Sequence, residues 1–195
     1  MSFYPEKINE KIRSPRSVDK LASANGVGTG ANFVCGTFVR FFLRIETETK
    51  EIVEAKYKTG GCGFVIAAAE VLCAQVKGRK LVELHGLDKS ILTENVENEL
   101  GEFPDKRVHC LEICLDSLQS AFANFRAAQI EEFAGEKALI CTCFGVSEDT
   151  IENLIQEKSL ETVEEITANC SAGGGCGSCQ PLIQDILDVY WRENF

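Results

Sequence analysis

Four cysteines near the C-terminus constrain this chain more than any other feature. Cys141 and Cys143 form a C-x-C pair and Cys176 and Cys179 a C-x-x-C pair, with 32 residues between the pairs. Both pairs precede predicted helices, in loops whose backbone N–H groups face outward. Four thiolates around two irons leave a net negative centre, which free N–H groups and helix N-termini stabilise. Gly173, Gly174, Gly175 and Gly177 are expected to let the backbone wrap closely around sulfur, where a Cβ would clash. Four cysteines could equally hold a tetrahedral zinc. Spacing alone favours either over unliganded thiols.

Composition narrows the setting. The chain has 195 residues, enough for one domain of ordinary size and a small appendage. No apolar run reaches the ~20 residues that span a bilayer. Met1 to Arg16 lacks the apolar core of a signal peptide, so a cytoplasmic location is expected. Ten cysteines in a reducing compartment mean metal binding, thiol chemistry or burial rather than disulfides. A net charge of −10 repels phosphate backbones, which speaks against nucleic acid and for basic protein partners.

Periodicity places the elements. Ile8 and Ile12 sit at helical spacing before Pro15. After a glycine-containing stretch, Gly26 to Gly30, residues Val39, Phe41, Leu43 and Ile45 alternate with Arg40 and Arg44, which predicts a strand with one buried face. Val53, Ala55 and Tyr57 alternate with Glu54, Lys56 and Lys58 in a second strand, paired with the first as a hairpin. From Gly63 the period turns helical, with Val65, Ala69, Leu72, Cys73 and Val76 on one stripe and Gly78 as cap. A short helix is expected from Asp88 to Leu100, and a long one from near His109, with Leu111, Cys114, Leu115, Leu118, Phe122 and Phe125 on one face. In the remainder, Ser147 caps one helix, Thr162 with Glu165 forms a capping box for another, and Pro181 opens a last one with the stripe Leu182, Ile183, Ile186, Leu187 and Tyr190. The expected fold is α+β: a small antiparallel sheet packed by helices over 1–128, a linker over 129–137, and a small all-α domain over 138–195.

Three further cysteines share a context. Cys35 enters the first clear strand, Cys62 lies between glycines at a helix start, and Cys110 follows His109 at the start of the long helix. A thiol at a helix N-terminus is thiolate-rich and suits metal binding or sulfur acceptance. Lys58, Lys106 and Arg107 would add positive potential. Spacing leaves open the other reading, that these are isolated core residues. For Cys73, Cys114 and Cys170, burial is the expected state.

The pattern C-T-C-F-G-V-S-E from Cys141, followed by A-G-G-G-C-G-S-C ending at Cys179, resembles the bacterioferritin-associated ferredoxin-like domain. That resemblance implies a permanent 2Fe–2S cluster on Cys141, Cys143, Cys176 and Cys179. V-G-T-G at Val27, C-G at Cys35, Y-K-T-G-G-C-G from Tyr57, V-K-G at Val76 and V-H-C ending at Cys110 resemble the U-type iron–sulfur scaffolds, the NifU/IscU family. The family implies that Cys35, Cys62 and Cys110, with His109 as fourth ligand, accept sulfur from a cysteine desulfurase. They would hold a transient 2Fe–2S or 4Fe–4S cluster, iron or zinc, and pass the cluster to apo-proteins without enzymatic turnover. A homodimer and an Hsp70-type chaperone are further implied partners. The order of parts resembles the first two of NifU; its third part, a C-terminal carrier domain, is expected to be missing beyond Phe195. Two positions depart from the pattern. Thr37 stands where the family has an aspartate linked to cluster lability, so a longer-lived cluster is expected. F-P-D-K-R from Phe103 replaces the chaperone-recognition segment L-P-P-x-K. Stable clusters in an electron carrier or redox regulator, or zinc in a structural protein, are the other readings.

Overall fold

A computed structural model of the chain describes residues 3–84, 89–132 and 138–193. The chain divides into two compact units. The first comprises Met1–Glu46, Glu51–Arg79 and Leu87–Phe125, the second Thr47–Lys50, Lys80–Gly86 and Arg126–Phe195. The architecture is α+β, a three-stranded antiparallel sheet with helices followed by a helical C-terminal region.

In the first unit α1 (Glu6–Arg13) precedes β1 (Gly26–Asn32), β2 (Thr37–Ile45) and β3 (Ile52–Thr59), which form a sheet with β2 central. The β2–β3 register sets Phe41 against Tyr57 and Arg40 against Lys58, as the alternation predicts. Helix α2 (Gly63–Val76) follows. A short α3 (Leu81–Leu84) falls in the second unit, α4 (Lys89–Leu100) completes the first together with α5 (Val108–Glu132) up to Phe125, and α5 from Arg126 belongs to the second. Asp88, where the short helix is expected to start, lies outside the described residues. Helix α5 runs unbroken to Glu132, into the segment expected as a linker, and 133–137 are outside the described residues.

Strand β1 has no counterpart in the sequence reading, which found only glycines there. Those glycines make the strand fit. A Cβ on Gly30, Gly28 or Gly26 would lie 2.6 Å from the Ile113 carbonyl oxygen, 2.1 Å from that of Ser117 and 3.0 Å from that of Ala121. Two strand residues rise about 6.6 Å and one four-residue helix step about 6.0 Å, so every second glycine meets the next turn of α5. The buried Ser117 hydroxyl reaches the carbonyls of Gly28 and Val39 at 2.9 and 3.1 Å and ties α5 to both strands.

Helix α2 is buried nearly all round rather than along one stripe, including Glu70. That carboxylate accepts the backbone N–H groups of Arg16 and Ser17, which satisfies its charge without a cation. The segment it fixes runs beside β3, where Val18 bridges Tyr57 in parallel.

In the second unit β4 (Leu139–Cys141) and β5 (Val146–Ser147) form a short ladder, followed by α6 (Glu148–Lys158), α7 (Val163–Cys170) and α8 (Gln180–Glu193). Ser147 caps α6, accepting the Thr150 N–H at 3.0 Å, and the Thr162–Glu165 capping box is complete. Ile151, Ile155, Ile166, Ile183 and Leu187 form the core. Leu182, read as part of the α8 stripe, is exposed: the buried line of that helix runs through Ile183 and Leu187, one turn apart, and Leu182 lies about 100° off it. No helix among the described residues is long and apolar enough to cross a membrane.

Candidate functional site

Cys35, Cys62 and Cys110 each stand at the end of an element of the first unit. Cys35 lies in the exposed turn between β1 and β2. The Asn32 side-chain oxygen accepts the N–H groups of Val34 and Cys35 at 2.9 and 3.2 Å, and Gly36 adopts φ +70°, which closes the turn. Cys62 is the N-cap of α2. Its glycine neighbours pack closely: a Cβ on Gly61 would lie 2.8 Å from the Thr37 methyl, and one on Gly63 2.3 Å from Ile12 and 2.8 Å from the Tyr4 ring, so a larger residue would displace these side chains. The Tyr4 hydroxyl accepts the Gly63 N–H at 3.1 Å, a contact that sequence spacing gave no sign of. Cys110 and His109 open α5, with Cys110 buried.

These groups meet. His109 Nε2 lies 3.8 Å from Cys35 Sγ and 3.5 Å from Cys110 Sγ, and Cys110 Sγ lies 3.7 Å from Cys62 Sγ. A tetrahedral ion with bonds of about 2.3 Å to sulfur and 2.0 Å to nitrogen separates its ligands by about 3.5–3.8 Å. Among the described residues no three such donors are in closed coordination geometry. Three of the separations among the four groups instead have the lengths of a ligand tetrahedron's edges.

Electrostatics corrects one expectation. A helix N-terminus was expected to make these thiols acidic, but burial and the neighbouring Cys62 thiol push Cys110 up to about 12. Cys35 goes the other way: the Thr37 hydroxyl and N–H hydrogen-bond its sulfur and lower its pKa, with a smaller contribution from Arg107. Arg107 also acts on Cys110, and its guanidinium sits 5.9 Å from the centroid of the Phe64 ring. Lys58 lies on the exposed face of the sheet, opposite Arg40.

In the second unit the four candidate cysteines, Cys141, Cys143, Cys176 and Cys179, form two pairs. Cys143 and Cys176 are 3.5 Å apart near the surface, and the buried Cys141 and Cys179 hydrogen-bond one another. The Ser178 hydroxyl and N–H draw Cys176 down to about 7, whereas burial and then Cys141 push Cys179 up to about 11. This all-sulfur donor set fits an iron–sulfur cluster, and it also fits zinc. Gly173 and Gly177 adopt φ +85° and +76°, and a Cβ on Gly174 would strike Val82 at 2.6 Å, so these glycines serve the turn and its packing, while the Gly173 backbone N–H also hydrogen-bonds the Cys179 sulfur.

Cys73, Cys114 and Cys170 are buried, and burial raises the pKa of each. Cys114 Sγ faces the Val65 carbonyl at 3.7 Å, and Cys170 Sγ the Ile166 carbonyl at 3.3 Å.

Comparison with known proteins covers both units. The profile of the NifU-like N terminal domain matches residues 3–132, and that of the BFD-like [2Fe-2S] binding domain residues 139–189. The chain is 34% identical over 203 residues to nitrogen fixation protein NifU of Nostoc sp., covering 98% of this chain and 65% of that one. It is 31% identical over 184 residues to NifU of Azotobacter chroococcum, covering 94% and 58%. To the iron-sulfur cluster assembly scaffold protein IscU of Aquifex aeolicus it is 33% identical over 135 residues, covering 68% and 83%. The chain thus spans 58% to 65% of the length of these NifU relatives. A crystal structure of a NifU-like protein (N-terminal) from Brucella abortus shares the fold, with a TM-score of 0.53 at 13% identity over 63% of this chain and 94% of that one.

Proposed function

The chain belongs to the family of NifU-like N-terminal domains, here with a BFD-like [2Fe–2S]-binding domain after it, and from that membership we propose that it is a scaffold on which iron–sulfur clusters are built. Residues 1–128 are the scaffold and 138–195 the cluster-holding domain. The observation that carries the proposal is the convergence of Cys35, Cys62, Cys110 and His109 from three separate elements at 3.5–3.8 Å.

Sulfur enters at Cys35, the exposed thiol of the set. The Cys35 thiolate attacks the outer sulfur of a cysteine desulfurase persulfide. A new S–S bond forms, the donor's S–S bond breaks, and the desulfurase thiolate leaves with the electron pair. A reduced ferredoxin-type donor supplies, one at a time, the two electrons that release the transferred sulfur as sulfide and restore the Cys35 thiolate; Cys62, Cys110 and His109 surround the incoming iron, and the finished cluster leaves as cargo for an apo-protein. In the second unit Cys141, Cys143, Cys176 and Cys179 would hold a resident 2Fe–2S cluster, which supplies one-electron chemistry when bound. The Ser178 contacts favour the thiolate form of Cys176, and burial of Cys141 and Cys179 excludes water from that side.

Anaerobic purification with metal analysis, a visible spectrum and chelator treatment tests this reading. One chelator-sensitive and one chelator-resistant cluster is the expected result. Two resistant clusters mean an electron carrier, and zinc without charge-transfer absorption means a structural protein.

Thr37 favours slow release over fast exchange, since its hydroxyl supports the Cys35 sulfur where a carboxylate would compete for iron. Thr37→Asp is expected to speed cluster transfer to an apo-ferredoxin about tenfold, within the range for partners of metal ligands. An unchanged transfer rate counts against this role. Thr37→Val, which only deletes the hydrogen bond, should have a smaller effect.

A further inference from the structure

Between α6 and α8 runs a groove of about 370 Å³ that the cluster chemistry does not use. Its floor includes Ile140, the residue before Cys141, and Ile186, and its walls carry Leu182 and Val189, each 49% exposed. Its charged lining residues are Glu148 and Glu152 on α6 and Asp185 on α8, all acidic. Glu148 and Glu152 are like charges four residues apart on a helix, an arrangement that weakens the helix slightly. None of the three forms an ion pair among the described residues. The surroundings repeat the sign: residues 138–195 hold ten acidic residues against Lys158 and Arg192, so most of the chain's net charge of −10 lies there.

We propose that this groove is the docking face of the helical unit for a basic protein partner, one that lays an amphipathic helix between α6 and α8 with aliphatic side chains on Ile140 and Ile186 and lysines or arginines against the acidic rim. Helix-in-groove recognition needs an apolar trough of this kind, and the uniform rim sets the sign of the partner. A second copy of the chain is a poor occupant, because it would bring the same acidic surface. Long-range attraction to a unit of this charge also accelerates encounter at low salt. The proposal stands on the shape and charge of the helical unit and is independent of the scaffold reading.

The test uses the full chain and, as probe, a helical peptide of repeating leucine and lysine pairs, followed by methyl NMR and calorimetry. Methyl shifts should concentrate on Ile140, Leu182, Ile186 and Val189. Affinity should fall about tenfold between about 0.01 M and 0.15 M salt. Glu148→Gln, Glu152→Gln and Asp185→Asn together should weaken binding about tenfold, and the exposed Leu182→Ser about threefold. Glu161→Gln with Glu164→Gln, which removes charge outside the groove, should leave affinity within about twofold. Equal weakening by that distal pair overturns the proposal, as do shifts spread across the unit, absence of peptide binding, or self-association abolished by Leu182→Ser.

Discussion

Replacing Cys110 with serine is expected to abolish the chelator-sensitive cluster and leave the chelator-resistant spectrum intact. Cys110 takes part in two of the three short separations at the site, to His109 and to Cys62, so its loss leaves Cys35 and Cys62 without the sulfur between them. A serine hydroxyl is neutral and hard, a poor substitute for thiolate on iron. The buried position adds a structural effect, since a hydroxyl left unpaired there costs about 1–3 kcal/mol. Cys114→Ser separates the two effects. Cys114 is one turn further along α5 and equally enclosed, but its sulfur faces the Val65 carbonyl rather than the other donors. It should lose comparable stability and keep its cluster. Iron and acid-labile sulfide per chain, before and after chelator, are the measurements. A Cys110→Ser protein with wild-type chelator-sensitive iron would remove the basis for the scaffold reading.

What the sequence revealed of this site, and what it hid, follows the range of the interactions involved. The β2–β3 hairpin, α2 and the caps at Ser147 and Thr162 depend on residues at most a few positions apart, and alternation and capping patterns expose them. Strand β1 depends on the backbone of α5, 83 to 95 residues away, and bare glycines carry no side-chain alternation to announce it. The acidity expected of Cys110 from its helix position fails for a related reason: its burial and the Cys62 thiol come from distant segments and outweigh the local effect of the helix start. Tyr4 on the Gly63 N–H and the Thr37 hydroxyl on Cys35 are likewise invisible as spacing. The His109 contact with Cys35 belongs with them, because neighbouring positions on a helix point about 100° apart and only the fold brings the β1–β2 turn to the ring.

The closeness of β1 to α5 is therefore as much a part of the site as its ligands, and Gly28→Ala tests it. In an ordinary strand Gly→Ala is neutral or stabilises by about 0.4–1 kcal/mol, through the unfolded chain. Here the new methyl would lie 2.1 Å from the Ser117 carbonyl oxygen and 2.2 Å from the Ala121 nitrogen, both backbone atoms that cannot rotate away. Helix and strand must part by about 1 Å to reach van der Waals distance, and the Ser117 bonds to Gly28 and Val39 stretch with them. A loss of about 3 kcal/mol or more is expected. The neighbouring glycines supply a graded series, since the same contact is 2.6 Å at Gly30 and 3.0 Å at Gly26. Destabilisation in urea should rank Gly28→Ala above Gly30→Ala above Gly26→Ala. Strand β1 leads into the Cys35 turn and α5 begins just before His109, so the amount of chelator-sensitive cluster should fall in the same order while the other cluster stays constant. If Gly28→Ala unfolded at the wild-type urea midpoint, or if cluster loss ignored the ranking, then the spacing of β1 and α5 would not be what brings Cys35 to His109.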